Sequence, residues 1–84
     1  MGLKLRLEWF DKSTELGLGI ERSADLGEDY TVVDSLRLSV EDDINNGMFQ
    51  LREEWLLTIQ PLFSHKIISS ESDYFLALDY RKSW

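Results

Sequence analysis

Residues 3–21 read Leu3-Lys4-Leu5-Arg6-Leu7-Glu8-Trp9-Phe10-Asp11-Lys12-Ser13-Thr14-Glu15-Leu16-Gly17-Leu18-Gly19-Ile20-Glu21, and this stretch decides the fold. Leu3, Leu5, Leu7 and Trp9 alternate with Lys4, Arg6, Glu8 and Phe10. A period of two is that of a strand with one face buried. Residues 11–15 have turn composition, and alternation resumes at Leu16, Leu18 and Ile20, so the economical reading is a β-hairpin. On that reading Gly17 and Gly19 lie opposite the three aliphatics, where a missing side chain permits a bulge or the close approach of another backbone.

Farther along, Tyr74-Phe75-Leu76-Ala77-Leu78-Asp79-Tyr80-Arg81 alternates in the same way and is rich in strand formers. Residues 22–30 hold no period and read as a loop. Thr31-Val32-Val33-Asp34 has the form of a capping box, which predicts a short helix starting there, with apolar residues at 32, 33, 36, 40 and 44 on one face. Asn45-Asn46-Gly47 is a sharp stop, because these residues accept positive φ at low cost. Residues 48–63 fit two templates. Met48, Leu51, Trp55, Ile59 and Leu62 form a helical stripe, while Phe49, Leu51, Trp55, Leu57 and Ile59 fit an interrupted strand, and Pro61 ends either one.

The chain has 84 residues, which is room for one domain, 1–84. It is 43% hydrophobic with ten aromatics, too apolar for a disordered acidic tail. The absence of cysteine excludes a disulfide framework, thiolate metal sites and a cysteine nucleophile, and fits a reducing compartment. No apolar run approaches the roughly 20 residues that cross a bilayer, nor does the N-terminus have the form of a signal peptide, so a soluble, cytoplasmic protein without a membrane partner is expected. Sixteen acidic against nine basic residues give a net charge of −7, which argues against direct nucleic-acid binding and for a basic protein partner. Residues 1–42 carry net −5 and residues 43–84 net −2, so the first half supplies more of the field.

Little in the sequence points to catalysis. His65 is the only side chain that ordinarily titrates near neutrality, and a lone histidine after Leu62-Phe63-Ser64 is more often a loop or sheet-edge residue than a general base. The G-x-S-x-G motif of an activated serine is absent. The acidic groups Glu28-Asp29, Glu41-Asp42-Asp43 and Glu53-Glu54 suggest cation sites, but Asp42, Ile44 and Asn46 break the EF-hand pattern at its third place. One imidazole and no thiol give zinc too few ligands. No cofactor, metal site or enzymatic activity is expected. The alternative reading is a small acidic domain that holds a cation or ligand in the 41–46 loop.

A surface argument remains. With Leu3, Leu5, Leu7 and Trp9 facing the core, Phe10 projects from the opposite face. With Tyr74, Leu76, Leu78 and Tyr80 facing the core, Phe75 projects outward beside Asp73, Ala77 and Asp79; the alternatives are that the helix or a loop covers one of the two aromatics, or that the opposite phase is the buried one. Aromatics and Met are enriched at interface cores, and surrounding charges steer a partner of opposite sign.

These residues also carry a resemblance. Met1-Gly-Leu-Lys-Leu, Trp9-Phe-Asp-Lys-Ser-Thr-Glu15, Asn45-Asn-Gly47, Phe49, Glu54-Trp55, Gln60-Pro61, Phe63, His65, Tyr74-Phe75, Asp79-Tyr80-Arg81 and Trp84 fall at the spacing of one family. Over nearly its whole length the chain resembles the immunity proteins of cloacin and the ribosome-cleaving colicins. The resemblance implies an α+β fold, a four-stranded antiparallel sheet with a short helix between the second and third strands, in which residues 48–57 are strand. It implies an inhibitor that binds, 1:1, the basic C-terminal domain of a cognate bacteriocin, a ribonuclease that cleaves 16S ribosomal RNA. The inhibitor would sit at an exosite beside the catalytic groove, in the cytoplasm of the producing bacterium, and be co-released with the toxin. Partner-contacting aromatic positions of the family fall on Phe10 and Phe75, and a specificity position falls on Met48. With the flanking carboxylates Glu15, Glu21, Asp73 and Asp79 they make up the expected binding set. Residues 16–30 depart most from the family pattern, and Gly17 stands where an apolar or aromatic residue is usual.

Overall fold

The computed structural model describes residues 2–84. Four strands, β1 (Gly2–Asp11), β2 (Gly17–Arg22), β3 (Phe49–Gln50) and β4 (Ser72–Arg81), form one antiparallel sheet in the order β2-β1-β4-β3. A short helix, α1 (Thr31–Ser35), lies between β2 and β3, as expected of an α+β chain.

The first and last strands are the central pair. They run in unbroken register from Gly2↔Arg81 to Asp11↔Ser72, which stacks Leu3 on Tyr80, Leu5 on Leu78, Leu7 on Leu76 and Trp9 on Tyr74. Cross-strand pairs of this kind are the unit of sheet stabilisation. Leu3, Leu5, Leu7, Leu76 and Leu78 are fully buried, and Val33, Leu36, Trp55, Ile59, Phe63 and Ile67 close over them from the connections. The helical segments therefore cover one face of the sheet, and Phe10 and Phe75 lie on the other.

Residues 51–57 are not the strand that the resemblance implies. β3 ends at Gln50, one more bond runs from Leu51 N–H to Tyr74 O, and the chain then coils through a 3₁₀ turn (Glu53–Trp55), α2 (Leu56–Ile59) and a second 3₁₀ turn (Gln60–Leu62). The helical spacing of Trp55 and Ile59 brings both into the core and leaves Leu57 93% exposed. A strand would have placed Leu57 on the same face as Trp55 and Ile59, so burial of the two larger anchors selects the helix.

The capping box at Thr31 also works differently. Asp29 accepts from both the Thr31 backbone N–H and its hydroxyl, at 3.0 and 2.6 Å, so the threonine hydroxyl is a donor and the cap sits two residues upstream. The helix ends at Ser35, where Arg37 takes φ +59°. Asn45 does more than stop a helix. At φ +56° its side-chain amide donates to Tyr80 O and accepts from Tyr80 N–H, and its backbone N–H reaches Leu78 O, so one residue substitutes for a strand along the free edge of β4.

The pairing of β1 with β2 contains a bulge. Trp9 faces Gly19 and Phe10 faces Gly17, so Leu18 is the extra residue. A β-carbon on Gly19 would lie 2.2 Å from Trp9 Cζ2, which makes glycine the residue that lets the indole lie flat across β2. On its other side that indole stacks on the His65 ring at 3.8 Å and 12°. Gly19→Ala is expected to destabilise the protein by about 1–3 kcal/mol, the cost of overpacking, and to alter Trp fluorescence; urea denaturation measures both.

Candidate protein-binding face

Alternation in β1 and β4 places Lys4, Arg6, Glu8, Phe10, Asp73, Phe75, Ala77 and Asp79 on the uncovered face. β2 adds Ile20 opposite Glu8 and Arg22 opposite Arg6. The face divides into two regions.

In one region the charges pair among themselves. Arg6 Nη1 donates to Asp79 Oδ2 at 2.9 Å, and Arg22 Nε lies 3.7 Å from the same oxygen. Arg6 Nε is 2.9 Å from Glu8 Oε2 as an ion pair, but the angle does not make a hydrogen bond. Asp79 is only 9% exposed. Two cations around a shielded carboxylate hold it as an internal counter-ion.

In the other region apolar groups remain open. The rings of Phe10 and Phe75, diagonal neighbours two residues out of direct register, meet edge to face at 5.6 Å and 81°. Phe10, Phe75, Met48, Glu15 and Asp73 line a recess of ≈ 310 Å³. Met48 is 44% exposed. Asp73 bonds Lys12 Nζ at 3.1 Å on the exposed surface. Glu15 is held at φ +60° in the turn after β1, which Asp11 organises by accepting the Ser13 and Thr14 N–H groups at 2.8 and 2.9 Å. Those two backbone donors, Thr14 first, push the Asp11 carboxyl below its ordinary value of 3.8. Asp29 is lowered in the same way by the Thr31 hydroxyl and then its backbone N–H. Burial, followed by the hydrogen bond to Glu28, raises Tyr80 above the ordinary phenol range.

Five of the seven sequence-selected residues, Phe10, Glu15, Met48, Asp73 and Phe75, thus converge on one recess. Asp79 lies on the same face but is turned to Arg6 and Arg22. Glu21 is on the core side, opposite Leu7, where its two oxygens accept the backbone N–H groups of Ser64 and His65 at 2.7 and 2.9 Å. His65 is packed on Trp9 and bonded to the Tyr74 hydroxyl at 2.8 Å, a structural placement. Among the described residues, no three His, Asp or Glu side chains converge as a metal site. Asp43 in the acidic loop accepts the Ser39 N–H at 2.5 Å.

Sequence reasoning missed Leu18 and Ile20, each 55% exposed and bordering Phe10 across a second depression. Pairing Ile20 with Glu8 would have found it, because it puts an aliphatic residue among the outward-facing charges.

The face therefore presents a half-buried aromatic pair beside an exposed methionine and two carboxylates, Glu15 and Asp73. A family model described as cloacin immunity protein matches residues 2–81. The chain belongs to the cloacin immunity protein family. Membership makes it an immunity protein against cloacin-type bacteriocins, an inhibitor by family, with a cognate toxin as its partner. No helix among the described residues is long and apolar enough to cross a membrane.

Two predictions follow from the charges of this face. Asp79→Ala leaves Arg22 without its carboxylate and Arg6 with Glu8 alone, and lowers unfolding stability by about 2 kcal/mol, as loss of a shielded charged hydrogen bond does, measurable by denaturant titration. Because the Asp11 pKa is lowered on folding, its contribution is present above the ordinary value of 3.8 and is lost as pH falls through the lower folded value. An NMR titration should show the Asp11 carboxyl titrating below 3.8, with Ser13 and Thr14 amide exchange rising over the same range.

Proposed function

We propose that the chain neutralises its bacteriocin by binding, 1:1, the basic ribonuclease domain of the toxin through the uncovered sheet face. The observation that carries this reading is the half-buried edge-to-face Phe10–Phe75 pair, which lines an open recess with the exposed Met48, Glu15 and Asp73. Apolar anchors surrounded by charge of one sign have the composition of a binding hot spot with a steering rim. The net charge of −7 supplies long-range attraction to a cationic domain and raises the association rate.

The inhibitor acts by occupying an exosite, so that its bulk and negative charge keep the nuclease from the ribosome while the catalytic groove stays unfilled. Such an inhibitor acts in the cytoplasm of the producing cell, where the toxin is made, and leaves with the toxin as a complex. Glu21 and Asp79, both held by internal partners, support this function by fixing the loop at 64–65 and the charged half of the face. The direct contacts fall to Phe10, Met48, Phe75, Glu15 and Asp73.

Phe10→Ala and Phe75→Ala should each weaken binding to the nuclease domain by about 2 kcal/mol or more, as hot-spot aromatics do. Stability should fall by about 1–2 kcal/mol, since both rings are half-buried and an edge-to-face pair contributes about 0.5–1.5 kcal/mol. Isothermal titration calorimetry at two salt concentrations tests both anchors and the charge. Affinity should fall as salt rises, and absence of binding to any cloacin-type ribonuclease domain would overturn the proposal.

A further inference from the structure

The two glycines of β2 have different reasons to be there. Gly19 is required by the Trp9 indole. Gly17 is not required by any contact among the described residues. Its φ is not in the left-handed region, and the only atoms within 4 Å of a β-carbon built there are on the Phe10 ring, at 3.8 and 4.0 Å, an ordinary contact distance. Any L-residue fits, and a glycine in a strand weakens it. A residue that costs stability without a structural need leaves a space. The bulge turns position 17 onto the uncovered face beside Phe10, and the space becomes a recess of ≈ 330 Å³ lined by Glu8, Phe10, Gly17, Leu18, Gly19 and Ile20. Phe10 is its shared wall with the recess of Met48 and Phe75. Leu18 and Ile20 in its lining are each more than half exposed.

We propose that the Gly17 recess is a specificity pocket that receives one bulky apolar side chain, aromatic or branched aliphatic, from the bound nuclease domain. This rests on the face being the nuclease-binding surface. Three observations select the occupant. The walls are the Phe10 ring and two aliphatic side chains, which match an apolar group. Glu8, the one carboxylate in the lining, already pairs with Arg6, which leaves it less able to recruit a cation. A second copy of the chain is disfavoured by the charge of −7 that each copy would bring to the contact. The pocket therefore takes the partner's protrusion, and a toxin lacking that side chain would bind with an unfilled depression next to Phe10. Discrimination of this kind is a difference of affinities set by a few contacts.

The test is calorimetry with isolated ribonuclease domains of cloacin-type bacteriocins, using wild type, Gly17→Phe, Gly17→Ala and Ile20→Ser. Gly17→Phe fills the recess and should weaken binding by about tenfold to a hundredfold, as overpacking a fitted contact does, while the melting temperature is kept or raised. Gly17→Ala should cost less than Gly17→Phe, and Ile20→Ser should weaken binding with folding intact, which keeps the test decisive if the larger substitution disturbs the edge. Wild-type binding that Gly17→Phe leaves unchanged or strengthens overturns the pocket and spares the binding face. Absence of wild-type binding overturns the face and the pocket together. A free chain that dimerises in sedimentation, with Ile20→Ser restoring the monomer, overturns the pocket by seating a second copy in it.

Discussion

The ten-pair register between β1 and β4 is the constraint on which the rest of the structure depends. A strand displaced by one residue turns every side chain to the opposite face. Here such a slip would carry Leu3, Leu5 and Leu7 into water and bring Lys4, Arg6 and Glu8 into the core. The same register decides the binding face, because Phe10 can meet Phe75 only if Trp9 lies against Tyr74. Core and candidate interface are thus two sides of one pairing. The pairing joins the two ends of the sequence, so its formation must meet the closure entropy of almost the whole chain. The local devices between the strands reduce that difficulty. Asn45 closes the edge of β4, Glu21 fixes the loop at 64–65, and Trp84 donates its indole N–H to Gly2 O at 2.9 Å, under Lys4 and Arg81, so the chain end secures the start of β1.

Acidity does two physically distinct things in this molecule. Some carboxylates are structural acceptors: Asp11 in the turn, Asp29 at α1, Glu21 under the loop at 64–65 and Asp79 between two guanidinium groups. Their partners are internal, and their contribution is to local geometry. Glu15 and Asp73 border the open aromatic recess, where exposed ion pairs add little stability but the summed field acts over about 10 Å. A count of acidic residues cannot separate these roles, because the separation depends on which backbone N–H groups and guanidinium groups the fold brings within reach.

What could be read from the sequence follows the strength of the local signal. Strict alternation in β1 and β4 identifies both strands, but Phe10 and Phe75 make the second face partly apolar too, so the buried phase stays open in the sequence and is decided by the helical segments that close over Leu3, Leu5, Leu7, Leu76 and Leu78. Residues 48–63 were not legible, since Trp55 and Ile59 satisfy helix and strand templates equally and only the volume left over the sheet distinguishes them. The resemblance favoured strand for 48–57, and the two-residue β3 is all that the core permits. The hairpin was legible but the bulge at Leu18 was only one of two readings of the glycines, so the aliphatics of β2 did not enter the binding face. Asp79 alternated outward as expected, yet its guanidinium partners Arg6 and Arg22 come from two other strands, a juxtaposition that requires the sheet order.

The placement of rigid and tolerant positions on the face follows from this. Phe10 and Phe75 sit on the central strands, where a substitution must preserve a register shared with the core. The residues around Gly17 sit on an edge strand, past a bulge, with Leu16, Leu18 and Ile20 in contact with water. Changes there alter surface shape without touching Leu3, Leu5 or Leu7. An inhibitor that must hold one toxin tightly and ignore its relatives needs a fixed anchor and an adjustable border. On the proposed reading the strand order separates the two, with the anchor over the β1–β4 pair and the border on β2, where a missing side chain costs the fold least.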